Sequence, residues 1–337
     1  MNTTPTQSAT VYRNMLVAWS TLSSNLAQLT PSAHQHMLQQ HRIRIGTLLP
    51  NLSLNRYNNI IPFDHTLCHI KSRTYVNANH IQLPRVQGPL IIAQCPMHPS
   101  YYGPDTTSAF WQLVQEHHVS TIVNLAQIES GYSGASLYWP VNEGDVYESN
   151  HAQSDQSESV EGYTIQCIQV EVLVAECLTR RRIQVLNKEN NVVSIVSHYH
   201  FEQWPNYDIA SSSTHTKTLL KHVLQERIAE EEHQRPTLVH CSGGVGRSGT
   251  FVAALAAVEQ IQREAPPSPP SSPSPSSVSL SERLLSLVSL MREQRHPWMV
   301  EGEAQFLFAG RLVMEMMAAE GGGEEEEGEG EERSTLL

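Results

Sequence analysis

Residues 237–251, Thr-Leu-Val-His-Cys-Ser-Gly-Gly-Val-Gly-Arg-Ser-Gly-Thr-Phe, leave this chain few ways to fold. Thr237 to His240 is a short run, apolar and partly β-branched, of the kind that makes a buried strand. Gly243, Gly244, Gly246 and Gly249 then allow a tight turn that Cβ atoms would obstruct. Thr250 to Ile261 is Ala-rich and reads as a buried helix. A strand, a glycine-rich turn and a helix start gather successive N–H groups, those of Ser242, Gly243, Gly244, Val245 and Gly246, around one concave point. Such a nest, backed by the positive end of a helix, binds a tetrahedral anion.

Cys241 opens the turn and Arg247 closes it six residues later. A thiol beside inward N–H groups, a helix N-terminus and a guanidinium should have a depressed pKa and act as a thiolate nucleophile. Arg247 offers a planar fork for two oxygens of a phosphoryl group. Ser248 can donate its hydroxyl to the sulfur and help it leave in a second step. A bare Cys-x5-Arg would read as an ordinary strand–helix turn. His240, the three loop glycines and Ser248-Gly249-Thr250 favour the anion site instead.

The run His240 to Thr250 resembles the active-site signature of the protein tyrosine phosphatases, and other segments extend the likeness. Asn55 to Asp64 reads as a loop leading to a strand. By itself Tyr57 is as readily a packing residue as a ligand. The segment resembles the family's phosphotyrosine-recognition loop, which implies that Tyr57 sets pocket depth and selects phosphotyrosine over phosphoserine. Asn59 stands where the family carries an Asp that accepts substrate backbone N–H bonds. Weaker peptide positioning is expected from it.

Tyr75 to Asn79, Leu90 to Pro96 and Thr121 to Leu125 are strand-like runs. Ser108 to Val114 reads as a helix with Phe110, Trp111 and Val114 on one face. Tyr163 to Leu178 and Arg181 to Val185 alternate apolar and polar residues as antiparallel strands do, and Val192 to Phe201 continues the sheet. Thr214 to Glu232 reads as a helix returning to the Cys241 strand. By the resemblance Glu129 pairs with Arg247 and holds the guanidinium flat; by itself it is an ordinary loop carboxylate. His34 with His36, and His198 with His200, have no visible third ligand, so no metal site is assigned.

Phe201 to Ile209 resembles the family's acid loop, where Trp-Pro-Asp swings over the bound phosphate and the Asp protonates the leaving group. Trp204 and Pro205 are present, but Asn206 takes the third place. An amide delivers no proton at neutral pH, and general acid catalysis is worth about 10²–10⁴-fold. Either Asp208 reaches into the site through a shifted loop, or turnover is slow. A third outcome is a module that holds phosphotyrosine without hydrolysing it. Arg283 to Arg295 is an amphipathic helix. Met291 to Phe306 resembles the last active-site loop, where a Gln positions the hydrolytic water. That position is Glu301 here, while Gln305 is kept. A carboxylate can orient or deprotonate water, yet it adds negative charge beside a phosphate.

Net charge is −12; residues 320–337 hold eight Glu and one Arg, so −7 lies there and −5 elsewhere. No basic stripe suits nucleic acid. Five cysteines at irregular spacing suit reduced thiols in the cytosol or nucleus. No run approaches the length of a membrane span and no apolar leader opens the chain. The expected organisation is an N-terminal extension (1–31), a phosphatase domain (32–318) and a disordered acidic tail (319–337). In the extension, Val11 to Leu29 is either a peripheral helix or disordered. Ser32 to Arg44 reads as a helix that opens the domain. A Pro/Ser-rich stretch, 264–281, reads as a mobile insert.

The resemblance implies one α/β domain, a twisted mixed sheet with helices on both sides and the Cys241 loop at the carboxyl end of a central strand. It implies a two-step mechanism on phosphotyrosine-containing proteins with neither metal nor organic cofactor. Cys241 attacks phosphorus, and water then hydrolyses the phosphocysteine.

Overall fold

The structure is a computed structural model that describes residues 5–27, 43–72, 74–98, 104–128, 137–149, 162–230, 234–264 and 278–321. The expected Ser32–Arg44 helix lies almost wholly outside the described residues, as do His34, His36, Glu129, most of the Pro/Ser stretch and the tail beyond residue 321.

Eight strands form one mixed sheet: β1 (Ala78–Ile81), β2 (Leu90–Ala93), β3 (Thr121–Asn124), β4 (Val146–Glu148), β5 (Thr164–Val174), β6 (Leu178–Leu186), β7 (Val192–Phe201) and β8 (Thr237–His240). Their order across the sheet is β1-β2-β8-β3-β7-β6-β5-β4. β8 lies parallel to both neighbours, with Val239 facing Ile92 on one side and Val123 on the other. β2, β3 and β8 are buried at every position, as parallel strands covered on both faces are. The β5–β6–β7 hairpins carry the alternating pattern at their paired ends, and their tips reach solvent, Val172 and Val192 among the exposed residues. The alternating run read as Tyr163 to Leu178 is broken by a turn after Val174, so that Leu178 begins β6. The stretch after Glu143 supplies the edge strand β4, paired antiparallel to β5.

The described helices are α1 (Pro5–Ala27), α2 (Thr107–Glu116), α3 (Ser213–Ala229), α4 (Gly246–Glu264), α5 (Leu280–Gln294) and α6 (Glu303–Gly321), with two further turns at Leu49–Leu52 and Asp64–Thr66. They divide between the two faces of the sheet, giving two cores. On one face Phe110, Trp111 and Val114 of α2 pack with Ile91, Ile122 and Leu238. On the other, α3, α4, α5 and α6 pack with Ile92, Val123 and Val239. Adjacent residues of one strand thus serve opposite cores, as the two-residue period of a strand requires. The α/β architecture expected from the resemblance is the one observed.

α4 is buried from Gly246 through Gln260, which explains its all-round small apolar sequence. α5 begins with a reciprocal cap: Ser279 Oγ accepts from the Glu282 amide, and the Glu282 carboxylate accepts from the Ser279 amide. α1 takes the helical alternative for the N-terminal stretch. It docks on α5 and α6 through Met15, Ala18 and Leu22, all buried. Met15 seats against Gly310, where a Cβ would overlap its thioether. Among the described residues, no helix is long and apolar enough to cross a membrane.

Candidate active site

β8 ends at His240 and α4 starts at Gly246, so residues 241–245 form the whole connection. The helix begins earlier than the Ala-rich run suggests, which puts Arg247 and Ser248 in its first turn. Gly244 is the residue that makes the turn possible. Its φ is +70°, and a Cβ there would overlap the Ala93 carbonyl oxygen of β2. Its N–H donates to Cys241 Sγ at 3.3 Å.

Cys241 is 4 % exposed. Burial by itself would raise its pKa. Arg247, the Ser248 hydroxyl and the backbone amides of Ser248 and Val245 outweigh that effect, and the thiol is held below its ordinary value. The Ser248 hydroxyl is buried and, among the described residues, engaged by no other group. Arg247 is 2 % exposed, and its Nη1 donates to the Leu125 and Trp204 carbonyls at 3.2 and 2.9 Å. Nη2 donates to Asn206 Oδ1 at 3.1 Å, while the Nε–H is buried with no partner among the described residues. A buried donor left open at an anion site is one a phosphoryl oxygen would satisfy.

The cavity over the sulfur is lined by Tyr57, Ile60, Asn206, Tyr207, Gly243, Val245, Gly246, Arg247 and Glu301, and holds about 20 Å³. It is nearly closed because Asn206 and Tyr207 cover it. A groove of about 740 Å³ beside Lys71 and Glu116 is far larger, but it is lined by amides and charged side chains with no thiol. The chemistry points to the small one.

Tyr57 is half-buried rather than fully exposed, and its hydroxyl lies 2.7 Å from Ser242 Oγ, which also accepts from Arg56 Nε at 3.1 Å. The segment carrying Arg56 and Tyr57 is thereby tied to the Cys241 turn. Ser242 supports the site from behind. Asn59 is exposed, and its backbone carbonyl accepts from His296 Nε2 at 3.0 Å. Glu301 stands at the mouth against Gly246; burial raises its carboxyl pKa, and Arg247 opposes the rise. Gln305 is buried behind it. Its Oε1 accepts from the Glu301 amide at 3.0 Å, and its Nε2 donates to the Asp208 carbonyl at 3.2 Å. The Asp208 carboxylate is exposed and accepts from the Ile209 amide at 2.7 Å; it does not line the cavity. Trp204 Nε1 donates to the Asp208 carbonyl, fixing that turn.

Behind the nucleophile lies a buried polar cluster that sequence patterning did not reveal. The Tyr138 hydroxyl lies 2.5 Å from His240 Nε2 and 3.1 Å from His198 Nε2. Burial pushes His240 down to about 3, and the hydrogen bond to the Cys241 carbonyl only partly offsets this. Arg295 was also missed. It is fully buried and donates to the Gly244 and Gly243 carbonyls at 3.2 and 3.1 Å and to Asn79 Oδ1 at 2.7 Å. It props the turn so that the amides face the cavity. Its place at the end of an amphipathic helix looks the same in sequence as any basic C-terminal residue.

The family described as protein-tyrosine phosphatase matches residues 51–315. Among curated proteins the chain is 28 % identical to mouse receptor-type tyrosine-protein phosphatase eta over 276 residues, covering 80 % of this chain and 19 % of that one. It is 26 % identical to mouse tyrosine-protein phosphatase non-receptor type 20 over 276 residues, covering 81 % and 55 %. It is 26 % identical to Drosophila tyrosine-protein phosphatase 99A over 277 residues, covering 80 % and 19 %. The chain thus spans from about a sixth to three fifths of the length of these and similar relatives. A match over most of its length, on a thiol set among amides and a buried guanidinium, makes this chain a member of the protein-tyrosine phosphatase family.

Proposed function

We propose that this chain hydrolyses phosphotyrosine in proteins through a phosphocysteine intermediate, and that it does so slowly. The carrying observation is the depressed thiol of Cys241 in a cavity walled by Tyr57 and lined by Arg247. Cys241 Sγ attacks phosphorus in line, the P–S bond forms and the P–O(aryl) bond breaks. The loop amides and Arg247 stabilise the equatorial oxygens. Water then attacks the phosphocysteine, and the Ser248 hydroxyl supports the departing thiolate. Glu301, which lines the cavity, would orient that water, with Gln305 behind it accepting from the Glu301 amide. Tyr57 makes the cavity deep and aromatic-walled, which suits an aryl phosphate better than an alkyl one.

The slowness follows from the acid loop. Asn206 lines the cavity, and the Asp208 carboxylate of that loop is turned to solvent. The phenolate then leaves without a proton from that loop. The same feature supports a second reading, a phosphotyrosine-binding protein that does not turn its ligand over. Both readings expect vanadate to bind. Hydrolysis of p-nitrophenyl phosphate, lost in Cys241→Ser, supports the first. Binding of a phosphotyrosine peptide by the wild type with no hydrolysis at any pH supports the second and overturns the first.

A further inference from the structure

Outside the active-site cavity, three chain segments bring a thiol and two imidazoles together. Cys68 lies on the segment bridged to β1 through Leu67 and Asn79, His80 lies on β1 itself, and His117 caps the C-terminus of α2. One donor atom from each falls within 4.8 Å of the others. The rings of His80 and His117 are 4.8 Å apart. We infer that Cys68, His80 and His117 form a binding site for a divalent transition metal, zinc by the chemistry of its donors.

One thiolate and two neutral imidazoles are a donor set that selects zinc over calcium or magnesium. Tetrahedral zinc, about 2.0–2.3 Å from each ligand, needs donors about 3.5 Å apart. Modest rotation of two half-buried rings closes that gap. The His117 ring is already oriented: its Nε2 donates to the His69 carbonyl at 3.0 Å, so the proton sits on Nε2 and the lone pair on Nδ1. A carbonyl partner of this kind is the usual way a ligating histidine is fixed. Burial also favours their unprotonated, ligating forms.

Cys68 is buried, and burial raises its pKa while Arg295 opposes the rise. The thiolate created by the metal would therefore face a fixed positive charge. Binding releases that one proton to solvent. His80 and His117 line an open groove of about 850 Å³, which gives the ion an entry path and leaves a fourth position for water. The site would staple the edge strand of the sheet to α2.

The test uses the full chain carrying Cys241→Ser, which removes the catalytic thiol as a competing ligand, with Co²⁺ alone as the spectroscopic probe. The expected result is one equivalent bound, a thiolate-to-cobalt charge-transfer band, and displacement by one equivalent of Zn²⁺. Cys68→Ser should abolish the band. His80→Gln should weaken binding tenfold or more while leaving the metal-free melting temperature unchanged, so that ligand loss is separable from misfolding. Zn²⁺ should raise the melting temperature by several degrees in the Cys241→Ser chain and not in its His80→Gln derivative. Absence of the band, its survival in Cys68→Ser, or an equal Zn²⁺ stabilisation in His80→Gln would overturn the assignment.

Discussion

The amide oxygen of Asn206 accepts a hydrogen bond from Arg247 Nη2 at 3.1 Å. The residue in the proton donor's place is therefore bound to the guanidinium that should bind phosphate, and it has no proton of useful acidity. Asn206→Asp puts a carboxyl group at the same point. Its kcat should rise about 10²-fold on phosphotyrosine peptide, the lower end of what a general acid contributes, and less on p-nitrophenyl phosphate, whose leaving group needs no proton. Asp208→Ala should stay within about twofold of wild type, well below a general-acid effect, because its carboxylate caps the Ile209 amide in solvent. A pH–rate profile of the three proteins checks both. An acid limb lost in Asp208→Ala would identify Asp208 as the donor after a loop movement.

Tyr57 offers a ring to the substrate and a hydroxyl to Ser242. Tyr57→Phe keeps the ring and removes one hydrogen bond, a loss of about 1 kcal/mol. kcat/KM on phosphotyrosine peptide should fall about fivefold, by that same free energy. Tyr57→Ala removes the wall as well. It should cost at least tenfold more and narrow the preference for phosphotyrosine over phosphoserine, as measured by the ratio of the two kcat/KM values.

Much of the site was legible in the sequence because the chemistry concentrates it. A nucleophile, its amides and its guanidinium must share one short turn, so Cys241 to Ser248 are read together. The central strands were legible because they are uniformly apolar and end in turn residues. Arg295 and Tyr138 were not. Each acts across a long separation in sequence, and a buried polar side chain is marked by the partners it meets, which no local pattern displays. The acid loop was half legible. Sequence gives the Asn206 substitution, but which way the Asp208 carboxylate turns is set by the Ile209 amide and by Trp204 and Gln305 on its carbonyl.

His198, His200 and His240 lie buried around Tyr138 and Trp139. Burial lowers all three, His200 to about 4 and His240 to about 3, with His198 well below its usual value. Below about pH 6.5 the unfolded chain takes up protons that the folded one refuses. Their contribution is complete above pH 6.5 and is lost as pH falls toward 3. Each adds a slope of about 1.4 kcal/mol per pH unit, so together they remove up to about 4 kcal/mol per unit in that window. The urea midpoint should hold steady from pH 8 to 7 and drop sharply from pH 6.5 to 5.5. A midpoint unchanged at pH 5.5 would refute the assignment of these rings as buried and neutral.

Arg295 satisfies three buried acceptors with one guanidinium. Arg295→Met fills much of the volume but leaves those acceptors bare, at about 1–3 kcal/mol each. Stability should fall by about 3 kcal/mol or more, and vanadate affinity should fall with it, because the Gly243 and Gly244 carbonyls are then free to turn toward the cavity. Urea denaturation and a vanadate titration measure the two losses. A variant that loses stability and binds vanadate normally would reduce Arg295 to a packing role.

Arg292 joins α1 to the loop that carries Glu301. Its Nη1 donates to the Leu22 carbonyl at 3.2 Å, and its Nε and Nη2 donate to the Met299 and Val300 carbonyls at 3.0 and 3.2 Å. Its guanidinium also lies 5.7 Å from the Trp19 ring centroid. Val300 sits at φ +62°, a conformation costly for a β-branched residue and one that its neighbours must hold in place. Removing the side chain in Arg292→Ala should therefore act at two places. The helix should loosen, seen as faster proteolysis within 5–27 at unchanged far-ultraviolet circular dichroism. The Val300–Glu301 loop should relax, seen as a fall in the rate of phosphocysteine hydrolysis with little change in its formation. Single-turnover kinetics on p-nitrophenyl phosphate separate the two steps. If both steps slow equally, Arg292 holds the domain together in general; if hydrolysis alone slows, the N-terminal helix is part of what positions the second half of the reaction.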